Sequence, residues 1–398
     1  MPYIERKKYL NRLKGLKNTP DIKIITGLRR SGKSELMQAY IRYLEEIEPE
    51  ANIIFIDYYD LEFDKLKEYR ELHTYVKKRF IEGKNNYLFV DEVQLCPNFE
   101  LAINSLHNSK KFDIYITGSN AFLLSSDLTT LFTGRFIEIP VYPFSFSEYC
   151  AYHSINKDIR TLFDDYVQNG GLAGSYVYSS EEDRVAYIKD VYSTIINRDL
   201  VDKYRLPDTS VLEHLADYML DNISNLTSPN KISDQLKANS YSTNHVTIGR
   251  YIKYLCQAFM FYQVKRYDIK GKRYLETSNK YYLNDLGMRK AILGTRNADY
   301  GRAYENLVAM ELMRRGYEVY VGKLYQKEID FVAIRQSEKV YFQVSDNITE
   351  EATFKREVSP LLQIKDAYPK ILLANTWHPE YQYEGIRIIN IADWLLEQ

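Results

Sequence analysis

Eight residues constrain this chain more than any others: Gly27-Leu28-Arg29-Arg30-Ser31-Gly32-Lys33-Ser34. They follow the short apolar run Ile22-Lys23-Ile24-Ile25-Thr26. The spacing G-x-x-x-x-G-K-[ST] between an expected strand and an expected helix is that of a phosphate-binding loop. Backbone N–H groups from Gly27 to Lys33, together with a helix starting near Gly32, form a nest for phosphate oxygens. Gly27, Arg30, Ser31, Gly32, Lys33, Ser34 and Glu35 are therefore the candidate nucleotide contacts. Lys33 offers a point charge to the β- and γ-phosphates, and the Ser34 hydroxyl is the expected Mg²⁺ ligand. The expected ligands are ATP and Mg²⁺.

A second motif supports the first. Tyr87-Leu88-Phe89-Val90-Asp91-Glu92 reads as a buried parallel strand that ends in two carboxylates. Ligands of such sheets bind at the carboxyl ends of the strands. Asp91 suits the Mg²⁺ shell, and Glu92 is the candidate general base for water attacking the γ-phosphoryl group.

The remaining composition excludes more than it proposes. Lys and Arg number 53 against 54 Asp and Glu, so no global charge draws the chain to nucleic acid; only a local basic patch would do so. No stretch approaches 18 uninterrupted apolar residues, and Glu5-Arg6-Lys7-Lys8 is not followed by a signal-type apolar core. A cytoplasmic protein is expected. Cys96, Cys150 and Cys256 stand apart and suggest neither a disulfide framework nor a thiolate metal site.

From Asp21 to Val141 strand-like and helix-like segments alternate: a strand at Ile22 to Thr26, a helix at Lys33 to Glu46, and a strand at Asn52 to Asp57. An amphipathic helix from Leu66 to Ile81 follows, then the strand at Tyr87, a short helix from Phe99 to Asn108, and a strand at Phe112 to Thr117. This succession predicts a parallel, doubly wound α/β sheet. The last strand runs into Gly118-Ser119-Asn120, where either Ser119 or Asn120 is placed to bind the attacking water. Leu131-Phe132-Thr133-Gly134-Arg135-Phe136 sets an arginine among apolar residues; Arg135 either stabilises phosphoryl charge, in cis or from a neighbour, or anchors a carboxylate.

The phosphate loop, Asp91-Glu92-Val93-Gln94, Thr117 to Asn120, Leu131 to Arg135 and Pro143-Phe144-Ser145-Phe146-Ser147-Glu148 together resemble the ATPases with an AAA domain plus DUF4143 of archaea and bacteria. The order of these segments is more specific than any one of them. The resemblance spans nearly the whole chain and implies an AAA+-like P-loop domain over 1–150, with Asn120 or Ser119 as sensor and Arg135 as a finger-like arginine. It implies a helical lid over 151–206, around Asn169-Gly170-Gly171-Leu172.

Residues 207–295 read as a winged helix. Ser210 to Asn225, Lys231 to Leu236 and Val246 to Phe259 are expected helices, and Phe261 to Tyr267 and Lys272 to Leu275 form an expected wing. Such modules often lay the third helix in the major groove of DNA. Arg250, Lys270, Lys272 and Arg273 are the candidate DNA contacts; the alternative is a basic, solvated hairpin or a protein-docking face.

Residues 296–398 resemble the PD-(D/E)xK nuclease fold. By that resemblance Glu305 and Asp330 take the acidic positions, and Gln343-x-Ser345 takes the place of E-x-K. A neutral amide is a weak metal ligand, and a serine does not supply an ammonium charge. Lys327 and Lys339 are the nearby lysines that would have to migrate. Without one, this α/β domain is expected to be an inactive nuclease relative. The expected function is Mg²⁺-dependent ATP hydrolysis that drives or gates the later modules. The alternatives are a nucleotide-gated DNA-binding or DNA-processing protein, and a slow protein-interaction switch or homo-oligomer.

Overall fold

A computed structural model describes residues 4–119, 132, 134–153, 158–206, 209–239, 241–294 and 299–397, with the backbone alone for 273–277. Two compact units are distinguished. One runs to Pro143 and includes 257–259, and the other comprises Phe144–Cys256 and Met260–Gln398.

The first unit opens with helix α1 (Lys7–Gly15). It continues through β1 (Ile22–Thr26), α2 (Lys33–Ile47), β2 (Asn52–Asp57), α3 (Tyr69–Lys78), β3 (Asn86–Asp91), α4 (Phe99–Asn108), β4 (Asp113–Gly118) and β5 (Phe136–Pro140). The five strands form one parallel sheet in the order β2-β3-β4-β1-β5. Every residue of β1 and β3 is buried, as continuous apolar runs in a sheet covered on both faces require. One face packs Leu13, Leu36, Met37 and Tyr40 of α1 and α2. The other packs Leu72, Val76, Ala102 and Ile103 of α3 and α4. Lys23 lies inside β1, fully buried, and is satisfied by Asp113 and by the Thr19 carbonyl at 2.8 Å. The helix expected from Leu66 is shorter: a 3₁₀ turn covers Leu61–Lys67, and α3 starts after Glu68, whose side chain caps the Glu71 N–H.

The second unit carries α5 (Phe146–His153), α6 (Ile159–Asn169) and α7 (Glu181–Thr194), which continues as a π-helical stretch, Ile195–Asp202. Helices α8 (Ser210–Asp221), α9 (Pro229–Ala238) and α10 (His245–Gln257) follow, then the hairpin β6 (Phe261–Asp268) and β7 (Arg273–Leu283). This is the element order expected of a winged helix. The chain goes on through α11 (Leu286–Leu293), α12 (Tyr300–Arg314), β8 (Glu318–Leu324), β9 (Lys327–Arg335), β10 (Glu338–Ser345), α13 (Glu351–Leu362), β11 (Lys370–Ala374), β12 (Tyr381–Tyr383), β13 (Ile386–Asn390) and α14 (Ile391–Leu396).

The expected boundary between 207–295 and 296–398 does not separate two bodies. One eight-stranded sheet runs β12-β13-β11-β10-β9-β8-β6-β7. Within it Arg266–Asp268 of β6 pair in parallel with Val321–Lys323 of β8. The hairpin is therefore the edge of the C-terminal sheet and not a free wing. Ile269 at its turn donates its N–H to the Lys323 carbonyl at 2.9 Å and packs against the core around Ile329 and Tyr341. Among the described residues, no helix is long and apolar enough to cross a membrane.

Candidate functional site

The phosphate loop leaves β1 where the sheet's carboxyl edge opens, and α2 begins at Lys33. Two glycines are dictated by geometry. Gly32 has φ +95°, and Gly27 has φ +143° with no room for a side chain, since an added Cβ would stand 2.1 Å from the Val141 carbonyl oxygen. Lys33 is buried, and its ammonium donates to the Gly27 and Leu28 carbonyls, each at 3.1 Å. Ser31 is buried too, and its hydroxyl has no hydrogen-bond partner among the described residues. Arg30 is exposed with φ +66°, and Ser34 and Glu35 are exposed on the first turn of α2.

The carboxylates of β3 meet this loop. Asp91 is buried and accepts hydrogen bonds from the Thr117 and Ser34 hydroxyls. Desolvation raises its pKa, and the Thr117 and Ser34 hydrogen bonds oppose that rise. Thr117 also joins the pair, because its Oγ1 accepts the Glu92 N–H at 2.9 Å. Glu92 is buried and takes φ +52°, a left-handed conformation uncommon outside glycine and found at strained functional positions. Its Oε2 accepts from the Gln94 amide and from the Ser119 hydroxyl at 3.3 Å. Loop, Asp91, Glu92 and Ser119 are thus brought together. Thr117 and Gln94 are the members that motif reading left without a role. A hydroxyl at the end of a strand beside the acidic strand was the available signal for Thr117.

Two expected members differ. Asn120 lies outside the described residues. Arg135 enters β5 at its amino end, beside Ile22, whereas the loop leaves β1 at the opposite edge after Thr26. Its guanidinium donates to Asn108 Oδ1 at 2.9 Å. It is therefore not placed to reach phosphates in its own chain, contrary to the expected in-cis role.

The donor set fits a Mg²⁺-bound nucleotide. A buried Ser31 hydroxyl without a hydrogen-bond partner among the described residues, a buried Lys33 ammonium that donates to loop carbonyls, and a hydroxyl–carboxylate pair at Ser34 and Asp91 are the groups such a ligand needs.

The second unit holds another cluster. Asp330 on β9 accepts the Val344 N–H at 2.8 Å and donates its own N–H to Gln343 Oε1 at 3.4 Å; the Gln343 amide donates to Glu357 at 3.0 Å. Glu305 on α12 accepts from Tyr282 at 2.6 Å. Ser345 turns to the Asn347 carbonyl, 2.9 Å away. The missing ammonium comes from β7: Lys280 Nζ lies 2.9 Å from Glu305 and 2.8 Å from Glu328. Burial would lower the Lys280 pKa, but Glu305, Asp330 and Glu328 carry it above its ordinary value. Desolvation holds Asp330 well above the usual carboxylate range. Neither Lys327 nor Lys339 enters. Lys327 donates to Ser359 at 2.6 Å, and Lys339 stands over the Tyr368 ring at 4.6 Å. A lysine preceding the buried pair Tyr281-Tyr282 was the overlooked signal. Among the described residues no group of three or more His, Cys, Asp or Glu is arranged to hold a metal ion, and each acidic member already has protein partners, so this cluster does not fit a metal centre.

An AAA domain model matches residues 19–150 and a domain of unknown function, DUF8612, matches 160–299. A Haemophilus influenzae protein described as uncharacterized is 37% identical over 400 aligned positions, covering 99% of each chain. The chain belongs to that family of AAA-domain proteins. The second matched domain, at 160–299, is DUF8612, whereas the resemblance implied DUF4143 over 296–398. An uncharacterized protein of Methanocaldococcus jannaschii is 25% identical over 411 positions, 98% of this chain and 89% of that one. Among solved structures, the Aeropyrum pernix Orc1 protein in complex with DNA matches 79% of this chain and 94% of its own, at 13% identity and TM-score 0.32. AMPPCP-bound DnaA from Aquifex aeolicus matches 64% and 89%, at 14% identity and TM-score 0.33. Neither score bears on function.

Proposed function

We propose that this AAA-domain protein binds ATP with Mg²⁺ at the Gly27–Ser34 loop and hydrolyses it, using the energy to drive or gate its second unit. The observation that carries this reading is the meeting of Glu92 with the phosphate loop through Asp91 and Thr117. Lys33 and the loop N–H groups hold the phosphates, and Ser31 adds a donor. Ser34 and Asp91 would hold Mg²⁺, which would supply positive charge to offset that of the phosphates. Glu92 takes the proton of the attacking water, and Ser119, with Asn120 beside it in sequence, orients that water. Arg135 is proposed to act only on a neighbouring chain's site.

The test is Glu92→Gln. It is expected to bind ATP as the native chain does while hydrolysis falls by about a hundredfold or more. Native turnover in the variant would remove Glu92 as the base.

A second reading is that DNA is the partner, carried by the exposed Arg250 and Lys253 on α10, the third helix of the winged-helix order. Lys270, stacked on Tyr325 at 4.7 Å, and exposed Lys272 lie at the hairpin turn; the side chain of Arg273 lies outside the described residues. Duplex binding that weakens steeply with salt and with Arg250→Ala supports this reading, and no duplex affinity at low salt ends it.

A further inference from the structure

Arg6 lies outside the residues matched by the AAA domain model, 19–150, and a full helix ahead of the phosphate loop. Its side chain nevertheless reaches that loop. Arg6 is 7% exposed, and its Nη1 donates to the Ser31 carbonyl at 3.0 Å. The guanidinium also lies over the Tyr9 ring, 4.4 Å from its centroid. Tyr9 is itself buried in α1, and its hydroxyl accepts the Tyr142 N–H at 3.3 Å, so the platform under Arg6 is fixed.

A trans peptide is planar, with its C=O and N–H pointing in opposite directions. A guanidinium that grips the Ser31 carbonyl therefore turns the Gly32 N–H to the other side of the backbone, away from Arg6. That N–H stands at the start of α2, where the first N–H groups of a helix have no partner within it. Gly32 has φ +95°, and a glycine on the carboxyl side makes rotation of this peptide inexpensive. The Arg6 contact holds it from behind.

We propose that Arg6 is a positioning residue of the phosphate site, presetting the Gly32 N–H toward the phosphates of a nucleoside di- or triphosphate. This rests on the nucleotide reading of the loop. Part of the affinity for phosphate then comes from a segment that the loop motif does not contain.

The experiment titrates the full-length chain with mant-ATP and mant-ADP, at a temperature where circular dichroism shows each variant folded. Arg6→Met is expected to weaken both ligands by about tenfold, the factor that one misdirected hydrogen bond to a charged group produces. Its KM for ATP rises while kcat stays within about twofold. Arg6→Lys, which keeps a donor for Ser31, recovers most of the affinity, and Arg6→Gln, a milder change, falls between. A merely structural role would lower the melting temperature without moving the affinity of the folded protein. Native-like affinity in Arg6→Met and Arg6→Gln, with Lys33→Ala abolishing binding, overturns this inference alone. A native chain that binds neither nucleotide overturns the nucleotide reading and this inference with it.

Discussion

The Lys280 ammonium lies 2.9 Å from Oε1 of Glu305, with the lysine side chain 5% and the glutamate 13% exposed. A strand of the hairpin thus supplies the positive charge that Gln343-x-Ser345 lacks. It does so to carboxylates on α12 and β9, so it ties together three elements that the sequence divides between two modules.

Removing that ammonium leaves buried carboxylates without a counter-charge. Lys280→Met is expected to cost roughly 3 to 5 kcal/mol of folding stability, the usual penalty for breaking a buried pair from one side. Urea denaturation measures it, and Glu305→Gln in the same background should return part of the loss. A cost below about 1 kcal/mol would mean the pair is not what stabilises this junction. The native chain is expected to leave DNA uncut with Mg²⁺ or Mn²⁺. Cleavage abolished by Asp330→Ala would overturn that.

Gln94 donates to the carboxylate oxygen of Glu92 that Ser119 also faces. Each donor occupies a lone pair of that oxygen that would otherwise accept the water's proton. Gln94→Ala is therefore expected to raise ATP turnover a few-fold with little change in nucleotide affinity, read from steady-state kinetics. A fall in kcat would instead assign Gln94 to holding Glu92 in its working position.

At Gly27 any side chain meets the Val141 carbonyl and an unfavourable φ together. Gly27→Ala is expected to cost roughly 2 to 4 kcal/mol and to abolish nucleotide binding. Denaturation and mant-ATP titration check the two effects separately.

The first unit was legible because its inner strands β1 and β3 are buried on both faces and its edge strand β2 keeps a similar apolar run. Ile22 to Thr26 and Asn52 to Asp57 carry apolar runs that leave little choice of structure, and the observed strands have those bounds. The loop and Asp91-Glu92 are local in sequence, so their meeting follows from strand order. Lys280 was not legible, since a lysine on an edge hairpin reads as solvated until the pairing of Arg266 with Val321 brings its sheet to Glu305. Arg6 was hidden for a similar reason: its contact with Ser31 spans a helix and a strand. The distance of Arg135 from the loop depends on which edge of β5 it enters, which neighbouring residues do not encode.

Asp285 gives a prediction for pH. Its carboxylate is fully buried where it caps α11 through the Gly287 N–H, 2.9 Å away, and accepts the Gly171 N–H at 2.5 Å. Desolvation, opposed by these N–H groups and by Arg314, raises its pKa from 3.8 to about 6. The folded state therefore holds this proton more tightly than the unfolded chain. The stability gained is complete below the unfolded pKa of 3.8 and is lost as the pH rises through about 6. At full size it is on the order of 3 kcal/mol. Asp285→Asn does not titrate, so the difference in unfolding free energy between native and variant isolates the effect from every other group. Urea denaturation at intervals between about pH 4 and 7 should show the native chain losing stability relative to Asp285→Asn as the pH rises. A difference that stays flat across that window, or that runs the other way, would mean the folded carboxylate is ionised throughout and that Gly171 and Gly287 outweigh its burial.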